Sequence, residues 1–203
     1  MAKYNNFKKL PADFYLNQDV VEVARLLLGK IIIKKDGNRT RYARIVETEA
    51  YAGAEDRASH AFQNKRTART ETMFQKGGIA YVYLCYGMHH LLNVVTNMKD
   101  TPHAVLIRAI EPLFDENIAT KKSKRKSGSG PALVTKYLEI DTHHNRKSFL
   151  SSDLFIADDN FIPEHISVSP RIGVDYAGEA AKWPYRFFIT NHPHVTPHVF
   201  NIV

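Results

Sequence analysis

Residues 30–51 read KIIIKKDGNRTRYARIVETEAY, and this stretch decides the kind of fold the chain adopts. Two runs rich in β-branched and aromatic residues are joined at Asp36-Gly37, a dipeptide typical of the tight turn between antiparallel strands. The stretch therefore predicts a β-hairpin.

A second hairpin is predicted further along the chain. Residues 79–84 have the composition of a strand, Tyr86-Gly87 forms a turn, and residues 89–96 return as a second strand. Residues 104–110 are predicted to be another strand, which Pro112 closes. In the C-terminal third, further strands are predicted over residues 165–168, 172–175 and 185–190.

Few helices are predicted between these strands. Asn17, followed by Gln18 and Asp19, can cap a helix over residues 20–28, and Gly29 lies where a C-terminal cap is expected. Pro131 suits the first turn of a helix over residues 131–138. Residues 115–122 are predicted to be helical, and the polar residues 52–72 are either functional or partly helical.

Strands thus outnumber helices, and neither a repeat nor a linker divides the chain. We predict an α+β fold in which residues 1–203 form one domain on a largely antiparallel β-sheet, with surrounding helices and a protruding β-hairpin.

The composition narrows the class of protein. Lys and Arg number 28 against 21 Asp and Glu, and the formal net charge of +7 favours a polyanionic partner, nucleic acid before anionic lipid. Cys85 is the only cysteine, which excludes an internal disulfide and indicates a reducing compartment. Neither a signal peptide nor an apolar run that could span a bilayer is visible. We expect a cytoplasmic protein with no membrane partner.

Two glutamates in ETEAY are candidates for acid–base chemistry. Glu47 and Glu49 lie two apart on a predicted strand and so share a face. A carboxylate at a strand end beside an aromatic residue suits a general base, because partial burial tunes its pKa. The alternative is an ordinary solvated strand face.

The turn of the second hairpin carries Tyr86 and Met88, which are poorly placed for a core. Large apolar side chains of this kind enter the minor groove of a nucleic acid and hold a gap open. The alternative is a tip that folds back on its own domain. Lys65, Arg66, Arg69 and the basic run at residues 121–126 are candidates for phosphate contacts, although such runs also occur as solvated loops.

Histidines cluster near the C-terminus. His192, His194 and His198 could form a metal site, but no carboxylate or cysteine accompanies them in the sequence. We expect no metal and no cofactor.

Several blocks of the sequence resemble a known family. They are ARIVETEAYAGAEDRASHAF (residues 43–62), MFQKGGIAYVYLCYGMHHLLNVV (73–95), VLIRAIEPL (105–113), SGPALV (129–134) and PRIGVDYAGEAAKWPYRFFI (170–189). In this order they are similar to the alkyladenine (3-methyladenine) DNA glycosylases. The resemblance implies a monofunctional enzyme that excises alkylated or deaminated purines from double-stranded DNA and so begins base excision repair. We expect it to act as a monomer.

The resemblance also implies roles for individual residues. Glu49 matches the general base that deprotonates the attacking water, and Arg108 matches a residue that helps to hold this carboxylate and the water. Tyr51, His60 and Tyr83 match the residues that contact the flipped base.

Three further matches complete the expected site. Tyr86 matches the tyrosine that fills the gap left in the duplex, and Asn93 matches the asparagine whose amide crowds the exocyclic amino group of normal guanine. Ile172 matches a position whose backbone carbonyl helps to hold the water.

The residues leave alternatives open. Glu47 rivals Glu49 as the base on spacing alone. A basic nucleic-acid-binding module without catalysis would explain the charge and the aromatic residues, but it gives no reason for Glu49 and Arg108 together. A metal-dependent hydrolase that uses the C-terminal histidines is the second rival. The sequence identifies no proton donor for a neutral leaving base such as hypoxanthine.

Overall fold

The computed structural model describes residues 7–114 and 127–201, and all of its strands belong to one antiparallel sheet. The strands are β1 (Lys8–Lys9), β2 (Ile31–Asp36), β3 (Arg39–Tyr51), β4 (Ala80–Cys85), β5 (His89–Thr96), β6 (His103–Phe114), β7 (Leu154–Asp158), β8 (Ile166–Ser169) and β9 (Arg186–Ile189). The main path runs β1-β7-β2-β3-β6-β5-β4, and β9 joins β3 to β8. The prediction of an α+β fold on a largely antiparallel sheet is confirmed.

The long strand β3 is the axis of this sheet. Its first half pairs with β2 across the predicted hairpin, and its second half pairs with β6 on one side and β9 on the other. The register with β6 shifts on both sides of Glu47, which marks a bulge there. Because neighbours surround its second half, every residue from Ile45 to Ala50 is fully buried.

Two α-helices cover one face of the sheet, α1 (Val20–Leu26) and α2 (Pro131–Leu138). Their apolar side chains join the main core cluster together with alternate residues of the strands, such as Val82, Leu92 and Val105. Side chains alternate between the faces of a strand, so the intervening residues of β4, β5 and β6 point to the opposite face. That opposite face carries the candidate site.

Short 3₁₀ turns make up much of the remaining chain. They cover Ala12–Leu16, Gly53–Glu55, Phe62–Asn64, Glu71–Phe74, Thr142–His144, Asp175–Lys182 and Val199–Asn201. The polar segment 52–72 is therefore partly helical, which was one of the two predictions for it. No helix in the described part of the chain is long and apolar enough to cross a membrane.

Several predicted boundaries need correction. Helix α1 is capped by Asp19, whose carboxylate accepts from the N–H groups of Val21 and Glu22, and Asn17 only accepts from the N–H of Asp19. Strand β6 continues past Pro112 to Phe114. Beyond Leu106, β6 no longer pairs with β5. Pro112, which has no N–H to donate, therefore breaks no hydrogen bond to that strand.

Other predictions differ more. Residues 172–175 do not form a strand: they lead into a 3₁₀ turn, and the N–H of Ile172 serves a side chain rather than a neighbouring strand. Strands β1 and β7 were not predicted. The helix predicted over residues 115–122 and the basic run at 121–126 lie outside the described residues.

Candidate active site

A cleft of about 450 Å³ opens on the sheet face away from the helices, a volume typical of small-molecule sites. Its floor comes from β5 and β6, one wall from the β4–β5 hairpin, and the other walls from the segments around residues 58–60 and 172–176. Its lining includes Tyr51, His60, Arg69, Tyr81, Tyr83, Tyr86, Asn93, Arg108, Ile172 and Tyr176.

One wall is a cluster of aromatic rings. His60 packs edge-to-face on Tyr83 with ring centroids 4.7 Å apart, and its Nδ1 lies 3.0 Å from the hydroxyl of Tyr81. Burial and then the neighbouring Arg69 lower the pKa of His60 to about 4, so the ring is neutral at pH 7. Burial also raises the pKa of Tyr83, which keeps its hydroxyl protonated. The rings of this wall are therefore uncharged and rich in π electrons, and Arg69 lies beside them.

Glu49 lies beneath this wall and is fully buried. The hydroxyl of Tyr51 donates to its Oε2 at 2.9 Å, and the backbone N–H of Ile172 donates to its Oε1 at 2.9 Å. Burial, and then the charge of Glu49, raise the pKa of Tyr51 well above its usual range, so this phenol remains a donor. Both hydrogen bonds come from residues that line the cleft, so the carboxylate lies against it.

Arg108 lies between the two glutamates of β3. Its Nη1 is 3.5 Å from Oε1 of Glu49, and its Nε is 3.1 Å from Oε1 of Glu47, without the angle of a hydrogen bond. Glu47 is held from its far side by Arg186 Nε at 2.7 Å and by the N–H of Thr196 at 2.8 Å. Both carboxylates are therefore paired and share Arg108, but only Glu49 accepts hydrogen bonds from cleft-lining residues.

A buried ion pair fixes the loop that carries Ile172. Arg171 donates to both oxygens of Asp56, at 2.5 and 2.8 Å, and neither side chain is exposed. The same guanidinium donates to the carbonyls of Ala50 and Ala180 and lies 4.8 Å from the ring centroid of Tyr51. Because Arg171 precedes Ile172 in the chain, this ion pair holds in place the backbone N–H that donates to Glu49. The Arg171 guanidinium also packs against the ring of Tyr51.

The tip of the β4–β5 hairpin projects into solvent at the mouth of the cleft. Tyr86 is 87% exposed and Met88 is 70% exposed, so the alternative of a tip folded back on the domain is wrong. Tyr86 has a φ of +50° and Gly87 one of +68°, the left-handed backbone that Gly tolerates without strain. Tyr176, 66% exposed, lines the mouth from the loop side.

A comparison with known proteins now decides the family. The model of the methylpurine-DNA glycosylase family matches residues 13–193. The chain belongs to this family.

Bacterial relatives agree with this assignment. The chain is 45% identical over 188 residues to a protein of Bdellovibrio bacteriovorus, with 90% of this chain and 96% of the relative covered. It is 42% identical over 191 residues to one of Bacillus subtilis strain 168, with 92% and 96% covered. Both relatives are provisionally named 3-methyladenine DNA glycosylases. The chain is thus a methylpurine-DNA glycosylase, a hydrolase of N-glycosidic bonds that acts on DNA in base excision repair.

The fold of this glycosylase brings most of the expected site residues together. Those expected for catalysis and for the base pocket either line the one cleft or, for Glu49, contact its lining: Glu49, Arg108, Tyr51, His60, Tyr83, Asn93 and Ile172. The amide of Asn93 donates to the carbonyl of Tyr81 at 3.1 Å, which fixes its plane. For Ile172 the contact found is made by the backbone N–H, whereas the expected contact of its carbonyl with water stays a prediction. The alternative of a solvated face for the glutamates is wrong.

The three basic residues predicted to contact phosphates differ in their surroundings. Arg66 is bound to Glu71 and Asp100, so its charge is already paired within the protein. Arg69 lies 4.8 Å from the ring centroid of Tyr83 and 3.5 Å from Nε2 of His60, at the cleft itself. Lys65 is exposed.

The C-terminal histidines have separate partners, although the ring centroids of His192 and His194 are 5.9 Å apart. His192 faces Glu111, His194 contacts the carbonyl of Ser127, and His198 packs on Phe200. Within residues 7–114 and 127–201, no group of three or more His, Cys, Asp or Glu side chains could hold a metal ion.

Sequence reasoning missed several residues that shape the site of this glycosylase. Arg171, Asp56 and Arg186 lie inside the quoted family blocks, yet nothing in their local spacing distinguishes them from surface charges. Tyr81 and Tyr176 were likewise not singled out as site residues. Alternation along β4 placed Tyr81 on the same face as Tyr83, and this was the one available signal.

Proposed function

We propose that this methylpurine-DNA glycosylase flips a damaged purine into the cleft and hydrolyses its bond to C1′ with a water activated by Glu49. The observation that carries the proposal is the environment of Glu49, a fully buried carboxylate held by Tyr51 and Ile172 beneath an aromatic-walled cleft. The expected substrates are 3-methyladenine, 7-methylguanine, hypoxanthine and ethenoadenine.

Base flipping is required because the glycosidic bond cannot be reached inside the stack, and extrusion costs about a few kcal/mol. Tyr86 and Met88 project from the hairpin and would fill the gap left by the extruded nucleotide. Damaged pairs are weaker and cost less to open, which contributes to selectivity.

Alkylation at N3 or N7 gives the purine a positive charge. Tyr51 and Tyr83 offer electron-rich rings to a cation. Arg171 already lies over the ring of Tyr51 and Arg69 over that of Tyr83, whereas the neutral His60 adds no further positive charge. Normal purines are neutral and gain less from such walls. We expect the amide of Asn93, which donates to the carbonyl of Tyr81, to crowd the exocyclic amino group of normal guanine.

Bond cleavage then follows from the placement of the carboxylate. As the bond to the base breaks, its electron pair leaves with the cationic purine, which becomes neutral, and the sugar acquires positive charge that Glu49 stabilises. Water adds to C1′ and gives its proton to Glu49. Arg108, 3.5 Å from the carboxylate, helps to hold it.

Base release from N-methylated duplex DNA, measured in EDTA, tests the proposal. We expect methylpurines to be released without strand nicking and without an imine that borohydride can trap. No release at all would leave the non-catalytic DNA-binding alternative, and release that EDTA abolishes would favour a metal-dependent hydrolase.

A further inference from the structure

Glu47 is a buried carboxylate that the proposed reaction does not use. It is fully buried, and its Oε1 accepts from Arg186 Nε at 2.7 Å while its Oε2 accepts from the N–H of Thr196 at 2.8 Å. Arg186 is itself fully buried and also donates to Ser169 and Asn201. A buried carboxylate requires such partners, but packing alone does not require one at this position.

The position of Glu47 links it to the site through Arg108. The guanidinium of Arg108 lies between the two glutamates, with Nε 3.1 Å from Glu47 and Nη1 3.5 Å from Glu49. Neither contact is bidentate, so the arginine is shared. The more strongly Glu47 attracts Arg108, the less of the arginine's positive charge acts on Glu49.

Charged and titratable groups surround Glu49 on every side. They are Glu47 and Tyr51 on β3, Tyr83 on β4, Arg108 on β6, Arg186 opposite it on β9, and Arg171 with Asp56 from the packed loops. The carboxylates and guanidiniums among these groups balance in charge, because Asp56 is ion-paired with Arg171 and Glu47 with Arg186. Removal of one member unbalances the field at Glu49.

We propose that Glu47 and Arg186 are a positioning pair that sets the protonation of the base Glu49 through Arg108. The inference rests on the proposed function only in taking Glu49 as the base. Neither residue touches the substrate in this proposal.

The pair predicts opposite effects for its two members. Glu47→Gln removes a negative charge beside Glu49 and releases Arg108 toward it, so Glu49 should hold its proton less tightly. Arg186→Gln leaves Glu47 with Arg108 as its remaining cation and draws that arginine away, so Glu49 should hold its proton more tightly. A charge at this range is expected to move the midpoint by about one pH unit or more.

Carbon-13 NMR of glutamate-labelled protein measures this directly, with the carboxyl signal of Glu49 assigned by its loss in Glu49→Gln. We expect the titration midpoint of Glu49 to fall in Glu47→Gln, to rise in Arg186→Gln, and to return near the wild-type value in the double variant. Arg186→Lys keeps the charge and should stay close to wild type. The exposed Glu164→Gln is the matched control and should not move it.

The acidic limb of the pH profile for release of 7-methylguanine should move in the same directions. This base is already cationic, so its release needs no proton donor and the limb reports the base alone. Midpoints that stay fixed, or that move the same way in both single variants, would overturn the pairing. If Arg186→Gln does not fold, an unmoved midpoint in the near-isosteric Glu47→Gln is sufficient to overturn it.

The two proposals can fail separately. Shifted NMR midpoints in a protein that releases no methylpurine would contradict the proposed function and leave the positioning pair intact. Normal release with fixed midpoints would do the reverse.

Discussion

Glu47 and Glu49 lie two residues apart on β3 and are both fully buried, yet they differ in what holds them. The oxygens of Glu47 are bound by Arg186 and Thr196, away from the cleft, and those of Glu49 are bound by Tyr51 and Ile172, which line it. Their spacing could not choose between them, because both are expected on one face of the strand, whereas the resemblance to the family had assigned the base to Glu49.

Replacement of Glu49 by Gln tests the choice. The amide keeps the shape but cannot take a proton, so single-turnover release of a methylated base should fall by about 10²- to 10⁴-fold, the usual contribution of a general base. Binding to damaged duplex should stay nearly unchanged in a gel-shift or anisotropy titration. Glu47→Gln is the matched variant, and our assignment is wrong if it loses activity while Glu49→Gln keeps it.

His60 gives a pH dependence to stability. Its pKa is about 4 in the folded protein and near 6.5 when unfolded, so between these values the unfolded chain binds more protons. The free energy of unfolding should therefore decrease as the pH falls from about 6.5 to about 4, by up to about 3 kcal/mol.

Urea denaturation across this range measures the effect. His60→Gln should remove most of that component, whereas the exposed His165→Gln should leave it in place. An unchanged pH dependence in His60→Gln would show that the buried ring is not its source.

At the scale of elements, the β4–β5 hairpin was the most predictable part of the site. Its second strand was predicted over residues 89–96, as found, because alternation and the Tyr86-Gly87 turn are local signals. The exposure of its tip could not be predicted, since the same residues could have packed back on the sheet.

Truncation of the tip tests the proposed wedge. Tyr86→Ala should weaken binding to damaged duplex by about 5- to 150-fold, since stacking on a base contributes about 1–3 kcal/mol. Ile162→Ala changes a side chain that is 83% exposed but does not line the cleft, so its affinity should equal that of wild type. Unaltered affinity in Tyr86→Ala would remove the wedge from the proposal.

The prediction of a strand over residues 172–175 is wrong. The apolar residues of this loop alternate as in a strand, but its backbone is held by Arg171 and by Glu49 instead of by a neighbouring strand. The partner Asp56 lies 115 residues away, so no local pattern reports the pairing.

Asp56→Asn should expose how much this loop depends on the pair. Removal of one member of a buried ion pair leaves an unpaired charge, so we expect a loss of about 3–5 kcal/mol in the free energy of unfolding. Asp153→Asn breaks a pair with Lys147 whose side chains are 42% and 40% exposed, and should cost less than about 1 kcal/mol. Equal losses in chemical denaturation would contradict the structural role of Asp56.

At the scale of the whole molecule, the formal charge of +7 predicts salt-dependent binding to DNA. The residues expected to contact phosphates are not equally available, since Arg66 is ion-paired within the protein and Lys65 is exposed. Lys65→Ala should reduce the slope of log affinity against log salt by about 0.9, the value for one phosphate contact. Arg66→Ala should leave the slope unchanged, and the reverse order would reassign the contact.

The sequence by itself determined the two hairpins, the α+β class, the family and most of the residues that meet at the cleft. The hairpins and the fold class follow from turn chemistry and alternation, which act between neighbours along the chain, whereas the family and the cleft residues follow from the resemblance of whole blocks of sequence. Only the tertiary structure decided that β7 and β9 complete the sheet, that Arg171 and Arg186 pair with Asp56 and Glu47, and that Tyr51 and the N–H of Ile172 hold Glu49. The two ion pairs join segments more than 100 residues apart. They form because a buried charge needs an opposite charge beside it, and only the folded chain brings that partner close.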